Sequence, residues 1–355
     1  MHNFITNTFN ALLVRGEETM IRVGINGFGR IGRNIFRILA DREDIMVTAV
    51  CDPANPAGLE YLLKYDTILG RFPHELRVAD GHLYMRGRQI VFSSNAERGA
   101  MNWGELGVDI VVEATGKSQT RAELESHLQA GAKHVVLCAP PLDAPDKTIV
   151  MGINDDQLTA EDRIISNSSI TAHCTAPLVK MIDEAFGAER IYFTSVHAYT
   201  NDQRLADVPA NDLRRSRAAS LNIIPTETGS AKLLEKLFPK LENKISGLAL
   251  KVPVPNGSLV DMTIFTEREV SATAVNEVIR TGASSRYPGL VSYSEDPIVS
   301  SDVKISPYSC TYDSLATQVL DGKIVKVLGW FDNGWGYAHR AVELMSHIAK
   351  VGGIV

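Results

Sequence analysis

The feature that most constrains the fold is a glycine-rich turn close to the start of the chain. A short apolar segment, Ile21–Ile25, has the length and composition of a buried strand. It is followed by the pattern G-x-G-x-x-G, formed by Gly27, Gly29 and Gly32. Apolar residues then recur at helical spacing, at Ile31, Ile35 and Leu39. This order of strand, glycine turn and helix predicts the first unit of a Rossmann-type α/β domain.

Each glycine of this turn has a physical role in binding a dinucleotide. Gly27 permits the tight turn, Gly29 lets the backbone approach the pyrophosphate, and Gly32 lets the helix pack closely on the strand. Asp52 follows Gly32 by 20 residues, the position from which an acidic residue accepts a ribose hydroxyl. Its charge opposes the extra phosphate of NADP, so the sequence predicts NAD as the cofactor. The simpler alternative is a glycine-rich loop that binds no dinucleotide.

Apolar runs alternate with helical patterns in the first half of the chain. These runs lie at Met46–Cys51, Asp109–Ala114, His134–Cys138 and Thr148–Ile153. Helical stretches such as Arg121–Ala130 separate them, which predicts a doubly wound parallel sheet. Longer strand-like segments follow Ser166, at Arg190–His197, Gly247–Val254, Leu259–Arg268 and Lys323–Phe331. They predict a second domain with a mostly antiparallel sheet.

Length and charge narrow the functional classes. A chain of 355 residues favours two domains, and its net charge of −6 argues against nucleic acid as a partner. Four scattered cysteines, without a C-x-x-C pair, argue against a metal site and favour a reducing, cytoplasmic setting. No apolar stretch approaches the roughly 20 residues that span a membrane. Because Met20 directly precedes the first strand, we expect residues 1–19 to be an extension that is disordered or not translated.

Longer motifs carry a resemblance to a known family. The four main segments are Ile25–Arg33, Ser166–Pro177, His197–Gln203 and Trp330–Tyr337, supported by Leu221–Gly229 and Lys251–Asn256. In order and spacing the chain resembles the phosphorylating glyceraldehyde-3-phosphate dehydrogenases from Met20 to its end. The erythrose-4-phosphate dehydrogenases share this scaffold. The resemblance implies an NAD-binding Rossmann domain of residues 20–168 and 335–355, and an α+β catalytic domain of residues 169–334.

The resemblance also implies further cofactor contacts. Arg30 and Ile31 follow the second glycine, and the Thr115–Gly116 segment lies after a later strand. Asn333 matches the residue that fixes the nicotinamide carboxamide, and Tyr337 matches a tyrosine that packs nearby. The alternative for Asn333 is a turn residue within Asp-Asn-Gly.

The catalytic cysteine of the family is missing from its motif. That cysteine falls between Ser169 and Thr171, where this chain has Ile170. In the family its thiolate attacks the aldehyde, hydride passes to NAD, and phosphate cleaves the resulting thioester. An aliphatic side chain has no lone pair, so this covalent route cannot begin at Ile170. Cys174 lies about one helical turn further along, roughly 6 Å away, and we expect it to be a buried structural thiol.

The other catalytic and phosphate-binding positions are largely retained. His197 matches the family's base, although without a thiol it is equally compatible with a histidine that has only a structural role. Residues matching the two phosphate sites are Ser169, Thr171, Thr200, Asp202, Thr228 and Gly229. Lys251 replaces an arginine that serves both sites, which keeps the charge but loses the bidentate fork. We therefore expect that these residues still bind an anion, but more weakly. The alternative is that the threonines and the glycine only shape the loops.

Three functions remain open at this point. The first is an NAD-binding member of the family whose phosphorylating activity is lost or much reduced, acting as a sensor or within mixed tetramers. The second is an NAD-dependent dehydrogenase of another small phosphorylated substrate, with His197 as base and no covalent intermediate. The third is a nucleic-acid or protein-binding role that uses the Rossmann groove, and the acidic charge argues against the nucleic-acid version. The resemblance further implies glycolysis, a cytoplasmic homotetramer, a phosphorylated aldehyde or related sugar phosphate and inorganic phosphate, with Tyr199–Arg217 near a neighbour's cofactor.

Overall fold

The computed structural model describes residues 20–94, 101–117 and 120–355, so the expectation for residues 1–19 lies outside the described residues. The described chain forms two compact units. The first contains the residues up to Thr148 together with Gln157–Asn167 and Ala341–Val355. The second contains Ile149–Asp156 and Ser168–Arg340. These boundaries differ from the predicted domains at Ile149–Asp156, at Ser168 and at residues 335–340.

The first unit is built on a largely parallel sheet. Its strands are β1 (Ile21–Asn26), β2 (Ile45–Cys51), β3 (Tyr65–Asp66), β4 (Gly70–Arg71), β5 (Leu76–Ala79), β6 (His82–Met85), β7 (Arg88–Ser93), β8 (Ile110–Glu113), β9 (His134–Leu137), β10 (Lys147–Thr148) and β11 (Ile164–Ser166). Nine of them form one sheet in the order β10-β11-β9-β8-β1-β2-β7-β6-β5, and β3 pairs with β4 separately. The pairs from β10 to β7 are parallel, which confirms the predicted doubly wound sheet. Only the β7-β6-β5 end is antiparallel.

The connecting helices of this unit begin directly after residues that are typical N-caps, namely glycine, asparagine and threonine. Helix α1 (Arg30–Leu39) starts directly after the glycine turn, and α2 (Pro56–Lys64) starts with the Asn55 side chain accepting from Ala57 N. Helix α3 (Arg121–Gln129) begins with a capping box between Thr120 and Glu123. The part of the chain that the structure describes contains no helix long and apolar enough to cross a membrane.

The second unit contains a seven-stranded sheet covered by helices. Its strands are β12 (Ala188–Ala198), β13 (Ile224–Thr226), β14 (Ile245–Val252), β15 (Ser258–Thr266), β16 (Val291–Ser294), β17 (Cys310–Leu320) and β18 (Ile324–Phe331). Its helices are α4 (Ile170–Phe186), α5 (Ser230–Leu237) and α6 (Ala272–Ser285), while α7 (Trp335–Val351) begins in this unit. The order is β13-β14-β12-β15-β18-β17-β16. Only β12-β14 and β16-β17 are parallel, so the predicted mostly antiparallel sheet is confirmed.

Helix α4 packs against the sheet of the second unit through buried apolar side chains. Leu178 and Ile182 of α4 are fully buried in one apolar cluster with Ile279 of α6 and with Val260 and Ile264 of β15. Burial of such side chains stabilises the folded state by about 1.5–3 kcal/mol each. The start of α4, which holds the candidate catalytic positions, is therefore attached to a rigid core.

The prediction of a strand at Thr148–Ile153 is wrong. Only Lys147–Thr148 pairs in the sheet, and the chain then turns through residues 151–154. Ile149 and Val150 are fully buried although they are not in a strand. A short apolar run indicates burial, but by itself it does not distinguish a strand from a buried turn.

Candidate functional site

The glycine turn in the first unit forms a tight backbone cradle. Gly27 has a φ of +92°, and a Cβ added there would lie 2.5 Å from the Thr115 backbone nitrogen. A Cβ on Gly32 would lie 2.2 Å from the carbonyl oxygen of Gly27. Both positions therefore exclude any larger residue, because the clashing atoms belong to the backbone. The three backbone segments at Gly27, Gly32 and Thr115 are held in close contact.

The remaining glycine faces open space. Among the described atoms, none lies within 4 Å of a Cβ built on Gly29, and this exposed residue is the N-cap of α1. A glycine cap has no side chain to occupy the first amide groups of the helix, which are the groups that bind phosphate in dinucleotide folds. The half-buried residues Arg30 and Ile31 form the first turn of α1 beside this opening. The turn therefore fits a pyrophosphate group on geometric grounds.

Asp52 lies against the same turn. Its Oδ2 accepts a hydrogen bond from Phe28 N at 2.8 Å, and its Oδ1 accepts from Ala54 N at 2.9 Å. Gly27 N in turn donates to Cys51 O at 2.8 Å, so the end of β2 is bonded directly to the turn. The structure therefore brings Asp52 together with the glycines, as a ribose-binding carboxylate requires.

A buried carboxylate that was not identified from the sequence supports this cradle. Glu113 is fully buried, and its Oε1 accepts from both the backbone nitrogen (2.8 Å) and the hydroxyl of Thr115. Its Oε2 accepts from Asn26 Nδ2 at 2.6 Å and lies 3.2 Å from His127 Nε2. Trp103 Nε1 donates to His127 Nδ1 at 3.1 Å, which assigns the remaining ring proton to Nε2, facing Glu113. The network holds the Thr115–Gly116 loop at the end of β8.

Asn333 lies in the second unit, at the end of β18. Its Oδ1 accepts from Ser258 Oγ at 2.6 Å, and its backbone nitrogen donates to Asn256 Oδ1 at 3.0 Å. The side chain is 4% exposed, yet its Nδ2 has no hydrogen-bond partner among the residues that the structure describes. A buried amide donor without a partner is costly, so this group fits a carbonyl acceptor on a ligand, such as a nicotinamide carboxamide.

Tyr337 supports the start of helix α4. Its hydroxyl donates to the carbonyl oxygen of Ser168 at 3.4 Å, and its ring lies edge-on to His173 with ring centroids 5.9 Å apart. Ser168 has a φ of +57°, a conformation that non-glycine residues adopt rarely. The tyrosine thereby fixes the residue that precedes the helix cap.

Ile170 is the first residue of helix α4. Ser169 caps the helix by accepting from Ala172 N at 3.1 Å, and its Oγ lies 3.3 Å from the Oγ of Ser230 at the start of α5. Ile170 is partly exposed and packs on the core cluster of this unit, whereas Thr171 is buried. The most favourable position for an activated nucleophile, a helix N-terminus, thus carries an aliphatic side chain.

Further predicted phosphate-binding residues fall into two groups, one at the start of helix α5 and one directly after strand β12. Thr228 Oγ1 accepts from Ser230 N at 3.2 Å, and Gly229 is the N-cap of α5. Thr200 and Asp202 follow β12, where the Thr200 hydroxyl donates to Asp202. The Asp202 carboxylate also pairs with Arg215, a cation that was not identified as a site residue.

His197 and Lys251 are neighbours on two parallel strands. They occupy the same register position on β12 and β14, and Lys251 Nζ lies 3.2 Å from His197 Nδ1. The same ring nitrogen lies 2.6 Å from Ala198 O, and Lys251 Nζ donates to Thr200 Oγ1 at 3.5 Å. The His197 ring is buried against Phe331 with centroids 5.9 Å apart.

Electrostatics distinguish the two charged groups beside His197. Burial lowers the pKa of Lys251 to about 8, since the opposing attraction of Asp202 is smaller and Arg215 adds repulsion. Burial acts to raise the pKa of Asp202, but hydrogen bonding from Thr200 and the charge of Arg215 hold it below its usual value. At pH 7 to 8 the site therefore contains an ionised carboxylate and a partly deprotonated amine.

The four cysteine thiols are not available as nucleophiles. All four cysteines are in the described part of the chain and all four are buried. Burial raises the pKa of Cys174 well above its usual value, and hydrogen bonding with Cys310 raises it further. A buried, protonated thiol is inert as a nucleophile. No cluster of three or more potential metal ligands occurs among the described residues either.

Two family models match the chain. Residues 21–121 match "Glyceraldehyde 3-phosphate dehydrogenase, NAD binding domain", and residues 168–333 match "Glyceraldehyde 3-phosphate dehydrogenase, C-terminal domain". The first match contains the glycine turn, Asp52 and Thr115–Gly116. The second contains Ile170, His197 and Lys251.

Curated relatives match over most of the chain. A glyceraldehyde-3-phosphate dehydrogenase of Geobacillus stearothermophilus is 46% identical over 333 residues, covering 94% of this chain and 99% of that protein. Another from Streptomyces coelicolor is 49% identical over 327 residues, covering 91% and 97% respectively. Glyceraldehyde-3-phosphate dehydrogenase 2 of Bacillus subtilis is 46% identical over 330 residues, covering 93% and 97%.

Proposed function

Because the chain belongs to the glyceraldehyde-3-phosphate dehydrogenase family, we propose that it is an NAD-binding member whose phosphorylating activity is lost or much reduced. The observation that carries this proposal is the residue that begins helix α4. Ile170 stands at the helix N-terminus, and every cysteine of the chain is buried elsewhere. Without an accessible thiolate no hemithioacetal forms, and the thioester that phosphate would cleave does not arise.

The cofactor site supports retention of NAD binding. The backbone contacts at Gly27, Gly32 and Thr115 are too close for larger residues, and Asp52 is bonded to the same turn. Bound NAD supplies a hydride acceptor. We assign its pyrophosphate to the start of α1, its adenosine ribose to Asp52, and its carboxamide to Asn333.

The remaining assignments extend the family's properties to this chain. We propose a cytoplasmic homotetramer whose ligand is a small phosphorylated aldehyde or sugar phosphate, with inorganic phosphate as a weaker ligand. Thr200, Thr228 and Gly229 would bind phosphate oxygens, together with Ser169 and Thr171. Lys251 supports this binding as a point charge, without the two parallel hydrogen bonds of a guanidinium.

A side-by-side assay tests the loss of activity. The natural protein and Ile170→Cys are made in a host that lacks its own enzyme, and NADH absorbance is followed with NAD, phosphate and glyceraldehyde 3-phosphate. We expect the variant to be faster by at least about a thousandfold, because the thiol carries the covalent route. Equal rates in the two proteins would overturn the proposal, and Cys174→Ser would then identify the replacement group.

A second candidate function is favoured by the contact between Lys251 and His197. An alcohol or an aldehyde hydrate can pass hydride to NAD with a base but no covalent intermediate. His197 is such a base, and Lys251 Nζ lies 3.2 Å from its Nδ1, the ring nitrogen that donates to Ala198 O. The chain would then be a dehydrogenase of another small phosphorylated substrate.

A substrate panel distinguishes this second candidate from the first. NADH formation is measured with polyols and sugar phosphates, for the natural protein and for His197→Ala. The second candidate requires activity that falls by about a hundredfold or more in the variant. Activity that is unchanged in His197→Ala would contradict a role for this base.

A further inference from the structure

Lys251 has the surroundings of a reactive amine. It projects from β14 at the register position of His197 on β12, and paired residues of neighbouring strands place their side chains on the same face. Its Nζ lies 3.2 Å from a ring nitrogen of His197 and 3.5 Å from the Thr200 hydroxyl. These contacts place an amine beside a proton-transfer group within the candidate substrate site.

We propose that Lys251 captures small aldehydes as a reversible imine, with His197 transferring the protons. This activity goes beyond the proposed function, since it requires neither a thiol nor NAD. The arginine implied at this position by the family resemblance would have no such chemistry. A guanidinium stays protonated in proteins, whereas a lysine amine becomes nucleophilic when its charge is disfavoured.

The charges around Lys251 support a fraction of free amine near neutral pH. Burial lowers its pKa to about 8, and the charge of Arg215 acts in the same direction. The ionised Asp202 opposes this shift, and His197 is the other titratable group in contact. With this pKa about a tenth of the amine is unprotonated at pH 7, roughly three hundred times more than for an ordinary lysine.

The steps balance without any oxidant or reductant. The Lys251 ammonium first gives a proton to water, since His197 Nδ1 already holds the proton that it donates to Ala198 O, and the lysine lone pair then attacks the aldehyde carbon as the C=O π bond opens. The nitrogen loses a proton to the new oxygen, which gives a neutral carbinolamine. His197 Nδ1 then gives its proton to the carbinolamine hydroxyl while the other ring nitrogen takes up a proton from water, the C–O bond breaks, and water leaves. Overall, one aldehyde and one ammonium give one protonated imine and one water.

The neighbouring groups favour an aldehyde that carries a phosphate. Arg215 remains a permanent cation after the lysine has reacted, and it is held near the site through its ion pair with Asp202. Thr200 offers a hydroxyl at 3.5 Å from the reacting nitrogen. The substrate class is therefore a short phosphorylated aldehyde.

Reductive trapping tests the imine directly. The natural protein is incubated with glyceraldehyde 3-phosphate at pH 8 without NAD, sodium cyanoborohydride is added, and the adduct is located by peptide mass mapping. We expect one stable secondary amine on Lys251, formed at least about tenfold faster than on any other lysine. Lys251→Arg should abolish this adduct, and His197→Ala should slow it by about tenfold or more.

A matched control separates specific capture from general lysine reactivity. Lys326 lies on β18 of the same sheet and is paired with Asp261 at 2.7 Å, so Lys326→Arg should leave trapping unchanged. An adduct spread evenly over the lysines, or undiminished in Lys251→Arg, would overturn the proposal. Because the assay contains no NAD and measures no NADH, failure here leaves the test of Ile170→Cys unaffected.

Discussion

The proposed sites of the two units differ in the atoms that form them, which are backbone atoms in the first unit and side-chain atoms in the second. In the first unit the proposed cofactor site is formed by backbone contacts, such as the cradle of Gly27 and Gly32, and it is held by a fully buried carboxylate. In the second unit the proposed chemistry depends on individual side chains, and the position proposed for the nucleophile holds Ile170. A backbone site stays intact as long as the fold does, whereas one substitution removes a side-chain reaction. Binding and catalysis can therefore separate within one chain.

The largest expected effect tests how tightly the first unit is built. Gly32→Ala places a methyl group 2.2 Å from a carbonyl oxygen, so we expect unfolding to become easier by about 3 kcal/mol or more. Gly29→Ala is the matched control, because its methyl group meets open space and should change stability by less than about 1 kcal/mol. The control should instead lower NAD affinity. Chemical denaturation and calorimetry measure both, and equal stability losses would contradict the distinction.

The next prediction tests whether the ammonium group of Lys251 destabilises the second unit. The pKa of Lys251 is lowered from 10.5 to about 8, so the unfolded chain binds this proton more tightly than the folded protein. The contribution of Lys251 to the free energy of unfolding is therefore most unfavourable below pH 8. It becomes less unfavourable as the pH rises from 8 to 10.5. Lys251→Met should stabilise the protein at pH 7 by up to about 3 kcal/mol, with the gain fading towards pH 10. A gain independent of pH, with Lys326→Met as control, would contradict a buried ammonium.

A smaller effect tests the support beneath the cofactor loop. Glu113→Gln replaces one acceptor oxygen with a donor, which then faces either Thr115 or the Asn26 and His127 pair. We expect unfolding to become easier by about 2 kcal/mol and NAD affinity to fall. Glu125→Gln is the control, since that carboxylate is exposed in an ion pair with Arg121. If calorimetry showed an unchanged NAD affinity in Glu113→Gln, the result would contradict a role of Glu113 in supporting the cofactor loop.

The smallest effect tests cofactor choice. Asp52→Asn removes the negative charge but keeps an oxygen that can accept from Phe28 N. We expect the preference for NAD over NADP to fall by about tenfold, because charge repulsion with the 2′-phosphate is lost. Titration of both cofactors measures the ratio. A ratio that does not change would show that another group excludes NADP.

The sequence predicted those parts of the fold that depend on local patterns. The glycine turn, the alternation of strands and helices and the change of pattern after Ser166 predicted a parallel and a mostly antiparallel sheet. The pattern did not reveal that most of Thr148–Ile153 is not a strand, since the burial of Ile149 and Val150 alone makes the run apolar. Nor did it predict which strands pair in parallel in the second sheet, because pairing depends on contacts distant in sequence.

The sequence predicted individual residues of the candidate site but not the contacts between them. His197 and Lys251 were both identified, yet their contact depends on the register of β12 and β14, 54 residues apart. Glu113 was missed because a single acidic residue in an apolar run gives no indication of its partners. A carboxylate at the end of a strand, two residues before Thr-Gly, is the signal that could have identified it.

The most direct test of a retained cofactor site with a missing nucleophile is a single-turnover burst of NADH. Protein, NAD and glyceraldehyde 3-phosphate are mixed without phosphate, so that any acyl-enzyme accumulates instead of turning over. We expect about one NADH per site for Ile170→Cys and no burst for the natural protein, although both should bind NAD equally well. A stoichiometric burst from the natural protein would show that another group replaces the cysteine and would contradict the account.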